Sequence, residues 1–165
     1  MVRVEPATTV WLEALVEGDE VFEARFGIRV EPDWAGFPEA VPQVLEELRA
    51  GRPAEWGTHL FFDGDDGALI GFGGWKGPPV DGAAELGYAV APARQGRGVA
   101  TEVVRTLVER ARSAGVGLVL AHTLPDESPS TGVLRRCGFT MAGEVADGEA
   151  VVWRWERPIG RGDER

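Results

Sequence analysis

Tyr88-Ala89-Val90-Ala91-Pro92-Ala93-Arg94-Gln95-Gly96-Arg97-Gly98-Val99-Ala100-Thr101 is the stretch on which the fold turns. An apolar strand pattern ends at Val90, and Pro92 stops it. A glycine-rich turn follows. From Gly98 to about Ala114 the sequence predicts a helix, with Val99, Val103, Val104, Leu107, Val108 and Ala111 on one face and Gly115 as its stop. The first amides of a helix have no internal partners and carry the positive end of its dipole. Gly96 and Gly98 remove side chains that would hold an anion away, and Arg94 and Arg97 are expected to add positive charge at the rim. The segment therefore predicts a site for a phosphate or pyrophosphate. The competing reading is an ordinary strand-to-helix turn in a glycine-rich chain. A Walker loop is excluded, because Val99 stands where Lys would follow Gly98. A dinucleotide fingerprint lacks its third glycine, whose place Thr101 takes.

Outward from this loop the period changes twice. Upstream, Thr58–Phe62 and Ala68–Trp75 alternate as strands around Asp63-Gly64-Asp65-Asp66-Gly67, a solvated hairpin turn by its chemistry. Gly77-Pro78-Pro79 breaks the chain, and Ala84–Val90 is a further strand. Downstream, Val116–His122 reads as a buried parallel strand. A short helix runs from Ser128 or Ser130 through Cys137. Phe139–Val145 and Ala150–Trp155 form a last hairpin, turning at Asp147-Gly148. Before residue 57 the pattern gives one strand at 2–5. It then gives helices from Thr8 or Thr9 to Val16, from Asp19 or Glu20 to Phe26, and over 39–49. The predicted class is α+β: a mixed, mostly antiparallel central sheet of six to seven strands flanked by helices, with one strand–helix–strand crossover.

Gln95-x-x-Gly98-x-Ala100 fits the (Gln/Arg)-x-x-Gly-x-(Gly/Ala) motif of the GNAT-type N-acetyltransferases. Glu85-Leu-Gly-Tyr-Ala-Val-Ala-Pro resembles the strand leading into that motif. Thr123-Leu-Pro-Asp-Glu-Ser-Pro-Ser-Thr-Gly-Val-Leu-Arg-Arg-Cys-Gly-Phe139 resembles the second signature, in the version of the ribosomal-protein N-terminal (alanine/serine) acetyltransferases. The likeness covers roughly residues 57–155.

The resemblance implies acetyl-CoA as donor and a primary amine of a small molecule or a protein N-terminus as acceptor. Direct attack on the thioester would need no covalent enzyme intermediate. Backbone amides of Gly96, Arg97, Gly98, Val99, Ala100 and Thr101, with Gln95, would hold the pyrophosphate. The main chain of Tyr88, Ala89 and Val90 would pair with the pantetheine arm. Glu85 matches the strand acid that acts as base, and Ser130 matches a serine that touches the sulfur and protonates the thiolate. The plain alternatives are a solvated strand residue for Glu85 and a helix N-terminal serine for Ser130. Three positions depart from the family pattern: Glu127 replaces Asn, Gly132 replaces Arg, and Leu134 stands where many relatives place a general-acid tyrosine. A non-catalytic acyl-CoA-binding or protein-interaction module of the same fold is therefore the alternative function. A phosphotransferase would need a Lys or metal carboxylates at the loop, and these are absent from it.

On this reading residues 1–156 form a single domain. Residues 1–56 make the helical acceptor side, 57–156 the CoA-binding core, and 157–165 a loose charged tail. Trp34, Phe37 and Trp75, with Glu85, are candidates to line the acceptor site. His59 reads as a strand surface residue, and His122 as a structural histidine with a base role as its alternative. No metal site is expected, since the two histidines are far apart and no ligand spacing accompanies them.

Composition narrows the partners. The 165 residues carry a net charge of −10. Residues 1–91 hold 17 acids and 6 bases, whereas residues 92–165 hold 10 acids and 11 bases. A chain this acidic is a poor nucleic-acid binder. The split suggests a neutral half for a polyanionic donor and an acidic half that gathers a cationic amine. One cysteine, Cys137, excludes an internal disulfide. No apolar run approaches the ~20 residues that span a bilayer. A cytoplasmic protein without membrane attachment follows as the expectation, with a homodimer compatible with it.

Overall fold

A computed structural model describes residues 1–160. Seven strands form one sheet: β1 (Val2–Pro6), β2 (Thr58–Asp63), β3 (Leu69–Trp75), β4 (Ala83–Val90), β5 (Leu118–Thr123), β6 (Thr140–Asp147) and β7 (Ala150–Pro158). Their order is β1-β2-β3-β4-β5-β7-β6. Every pairing is antiparallel except β4 with β5. The expected α+β sheet with a single crossover is therefore present, and the crossover passes through the helix that opens at the glycine loop.

The helices divide between the two faces. α1 (Thr9–Glu17), α2 (Asp19–Phe26) and α3 (Ala40–Arg49) bury Leu12, Leu15, Phe22, Val41 and Leu45 against Leu60, Phe62, Leu69 and Phe72. Thr8 caps α1 by accepting from the Trp11 amide. On the other face, α4 (Val99–Ser113) and α5 (Pro129–Arg136) bury Val103, Val104, Leu107, Val133 and Leu134 against Phe61, Leu86, Val119 and Trp155. Each such side chain contributes about 1.5–3 kcal/mol relative to exposure. α4 is thus anchored along its length, and its N-terminus is a rigid platform.

Ser128 caps α5 through a capping box: its side chain accepts from the Thr131 amide, and the Thr131 hydroxyl accepts from the Ser128 amide. Ser128→Ala is expected to cost about 1 kcal/mol. That lowers the melting temperature by about 2–4 °C in a domain of this size, readable by calorimetry.

Three expectations are corrected. Residues 157–159 are not part of a loose tail, because Arg157 and Pro158 pair with Val119 and Leu118, and Ile159 is buried. Residues 161–165 lie outside the described residues. His59 is not on the surface: it is buried, its Nδ1 lies 3.0 Å from the Gly57 carbonyl, and burial lowers its pKa. The Asp63–Asp66 turn is not merely solvated, as shown below. Among the described residues, no helix is long and apolar enough to cross a membrane.

Candidate active site

The parallel pair of strands separates part-way along. β4 and β5 pair at Ala83↔Leu118, Ala84↔Val119 and Glu85↔Leu120, and there the register ends. β4 continues to Val90 beside β3, and β5 continues to Thr123 beside β7. The two strands diverge into a wedge. Among the described residues, the edge of Tyr88–Val90 facing that wedge has no strand partner, so it offers backbone groups that an extended amide chain can pair with.

A groove of about 1150 Å³ opens from this wedge. Tyr88, Ala89 and Val90 form one wall, Gln95, Gly96 and residues 98–101 the floor, and Ser128, Ser130, Gly132 and Val133 of the α5 segment the opposite wall. The acceptor-side loop reaches it through Asp33, Ala35, Gly36 and Pro38. Gly96 and Gly98 have φ of 77° and 81°, a left-handed backbone that glycine adopts without strain. Nothing lies within 4 Å of a Cβ built at either. No side chain caps α4, so its first amides face the groove without a side-chain partner. A pyrophosphate fits this cradle in charge and in space. The Gln95 amide donates to the Val90 carbonyl at 3.0 Å and so ties the loop back to the strand end.

Arg94 does not supply the expected rim charge. It is buried, and its guanidinium bonds Asp63 at 2.6 Å, Asp66 at 3.0 Å and Glu31 at 3.3 Å. Its charge is neutralised by the hairpin turn and by the segment leading to the acceptor-side loop. Arg97 is exposed, and Arg136 lines the groove.

Glu85 and His122 come together on the face opposite α4 and α5. His122 Nδ1 lies 2.9 Å from Glu85 Oε2, and Lys76 Nζ lies 3.0 Å from the same oxygen. Burial pushes the Glu85 carboxyl up, but the hydrogen bonds from His122 and Lys76 outweigh it, and the net pKa is lowered. A depressed folded-state pKa contributes stability that is present above the ordinary carboxylate range and lost as pH falls through the folded value. Glu85 is therefore ionised throughout the neutral range.

Ser130 sits in the first turn of α5. Its carbonyl accepts from the Tyr88 hydroxyl at 3.3 Å, and the residue lines the groove. Burial pushes the Tyr88 phenol up to about 12. Leu134 is 1% exposed, in the core, and is not among the residues that line the groove. Glu127 is turned to α5: Arg135 holds it at 2.5 and 2.7 Å, and Thr131 donates to it, leaving its carboxyl at about 2.

The two tryptophan candidates differ. Trp75 is buried in the core against Trp56, with ring centroids 5.4 Å apart. Trp34 is buried, donates to Asp19, and packs edge-on to Phe72. It also lines a smaller cavity of about 350 Å³ together with Asp33, Ala35 and Pro38, which line the groove as well. Phe37 is 65% exposed on the loop whose neighbours Gly36 and Pro38 line the groove. Among the described residues, no cluster of His, Cys, Asp or Glu could hold a metal ion.

A family model described as the acetyltransferase (GNAT) family matches residues 26–139. The L-methionine sulfoximine/L-methionine sulfone acetyltransferase of Pseudomonas aeruginosa is 27% identical over 95 residues, 54% of this chain and 54% of that protein. The match thus spans about half the length of the curated relatives. Two solved structures share the fold over nearly the whole chain. The ribosomal-protein-S5-alanine acetyltransferase from Vibrio fischeri has a TM-score of 0.67 at 15% identity, covering 97% of this chain and 94% of that one. The microcin C7 self-immunity acetyltransferase, solved with acetyl-CoA and AMP, has a TM-score of 0.68 at 16% identity, covering 96% and 92%.

Proposed function

The chain belongs to the GNAT acetyltransferase family, and from that premise we propose that it is an N-acetyltransferase moving an acetyl group from acetyl-CoA to a primary amine. The observation that carries this reading is the groove: an unpaired strand edge, an uncapped helix N-terminus behind two left-handed glycines, and the first turn of α5, all meeting where β4 and β5 separate. Acetyl-CoA, when bound, supplies an acetyl thioester whose C–S bond breaks as the C–N bond forms.

The chain's own residues divide the remaining work. The amides of residues 96–101 hold the pyrophosphate, and the Tyr88–Val90 edge holds the pantetheine arm. Ser130, in the groove wall, is the residue placed to meet the leaving sulfur. Glu85, with His122 and Lys76 around it, marks the side on which the acceptor loses its proton. The acceptor is a small-molecule or peptide amine, and the acidic first half of the chain favours a cationic one. The interaction-module alternative draws on Leu134, which leaves the usual tyrosine position without a proton donor.

The test pairs calorimetry of CoA binding with thiol release against a panel of amines. The panel holds L-methionine sulfone, peptides beginning with Ala or Ser, and spermidine. The expected outcome is CoA binding together with turnover of at least one amine. CoA binding with no turnover of any amine would favour the module and sink the enzyme.

A further inference from the structure

Resting on the acetyltransferase reading above, we propose that the base which deprotonates the acceptor is His122 Nε2, with Glu85 as its positioning residue rather than the base itself. Three observations support this. First, Glu85 Oε2 is already engaged by two donors, His122 Nδ1 at 2.9 Å and Lys76 Nζ at 3.0 Å. A carboxylate held ionised by two such partners is a weak proton acceptor near neutrality, where an efficient base has a matched pKa.

Second, a carboxylate only accepts hydrogen bonds. The proton of the neutral imidazole therefore sits on Nδ1, and the lone pair is on Nε2. Among the described residues the ring makes no other hydrogen bond, so Nε2 is open. The carboxylate also fixes the orientation of the ring.

Third, the register places the pair at the point of separation. Glu85 is the last β4 residue paired to β5, opposite Leu120. His122, two residues past Leu120, lies on the same face and beyond the end of that pairing. It is 24% exposed, neither sealed in the core nor free in solvent.

The charged groups around the ring are few. β4 presents Glu85, and the turn after β3 presents Lys76. On β7, Arg154 pairs with His122 in the register and bonds Glu156 at 3.0 Å. Arg154 and Glu156 offset one another, and Lys76 is bound to Glu85.

The acceptor ammonium gives one proton to Nε2, and its freed lone pair forms the C–N bond with the acetyl carbonyl carbon. The C–S bond breaks, its electron pair leaves on sulfur, and the thiolate takes the second proton of the nitrogen. The imidazolium then returns its proton to solvent.

The experiment uses the full chain and the fastest amine of the panel. His122→Gln is expected to lower kcat by about 100-fold or more, with little change in the KM for the amine, and to leave CoA affinity unchanged. Glu85→Gln is expected to lose less, about tenfold, and to lose it in kcat rather than in KM. A His122→Gln enzyme within about fivefold of wild type, or one that loses activity only through KM, would overturn the assignment. So would a larger loss in Glu85→Gln than in His122→Gln. A measurement on the unmutated protein guards against misfolding: ¹⁵N NMR of the ring should show the Nδ1–H tautomer, and an Nε2–H tautomer would overturn the proposal. If the wild type binds CoA but acetylates no amine, the activity reading itself fails, and this assignment falls with it.

Discussion

Gly98→Trp is expected to abolish CoA binding while leaving a folded protein. The backbone there has a φ of 81°, which costs a non-glycine residue about 1–2 kcal/mol. That strain is tolerable for a domain whose α4 helix is anchored by Val103, Val104 and Leu107, none of them exposed. Nothing lies within 4 Å of a Cβ at this position, so the indole meets no protein atom at its root and projects into the groove region. It then covers the α4 amides. Losing two charge-assisted hydrogen bonds at about 1.5–3 kcal/mol each weakens binding by at least about 100-fold. Calorimetry with CoA checks this, and an affinity within a few-fold of wild type would refute the cradle. Gly115→Trp is the control: it too sits at positive φ with open space, but at the far end of α4.

Arg94→Ala is expected to be the most destabilising single change near the site. Asp63 and Glu31 are only 16% and 14% exposed, and Arg94 is the cation between them. Removing one partner of a buried ion pair typically costs about 3–5 kcal/mol, because the other charges remain without compensation. Asp66 is 42% exposed and screened by water, so the lower end applies. A loss of about 3 kcal/mol lowers the melting temperature by roughly 6–12 °C. Adding Asp63→Asn to Arg94→Ala should recover part of the loss, since it removes one of the stranded carboxylates. Calorimetry of both variants decides the matter: a drop under about 2 °C for Arg94→Ala would show that the knot holds nothing. The same variant should also weaken CoA binding, because Arg94 ties the loop after Pro92 to the β2–β3 turn.

The sheet was legible because its signals are local. Pro92 and Gly98 bracket the loop, Gly115 ends α4, and Asp147-Gly148 turns the last hairpin, each by its own backbone chemistry. The groove followed from the same loop. What was hidden depends on pairing between distant segments. Nothing within residues 63–66 announces that the turn will close on Arg94, which is 31 positions from Asp63. Likewise Glu85 and His122 are 37 positions apart, and only the parallel register of β4 and β5 brings their side chains to one face. The alternation of β5 did carry a signal: Val119 and Ala121 go inward, so His122 had to face the other way. Trp75 misled because a large aromatic on a strand looks the same whether it fills a core or walls a pocket. Only its partner Trp56 reveals the core role.

Tyr88 is the chain's one tyrosine. It stands in the groove wall, its hydroxyl bridging β4 to the first turn of α5. Incorporation of fluorotyrosine would therefore place a single ¹⁹F nucleus in the whole protein, and that nucleus would report directly on groove occupancy. One resonance could then be followed through titration with donor, product or inhibitor, with no second tyrosine to overlap it and no substitution at any residue of the loop.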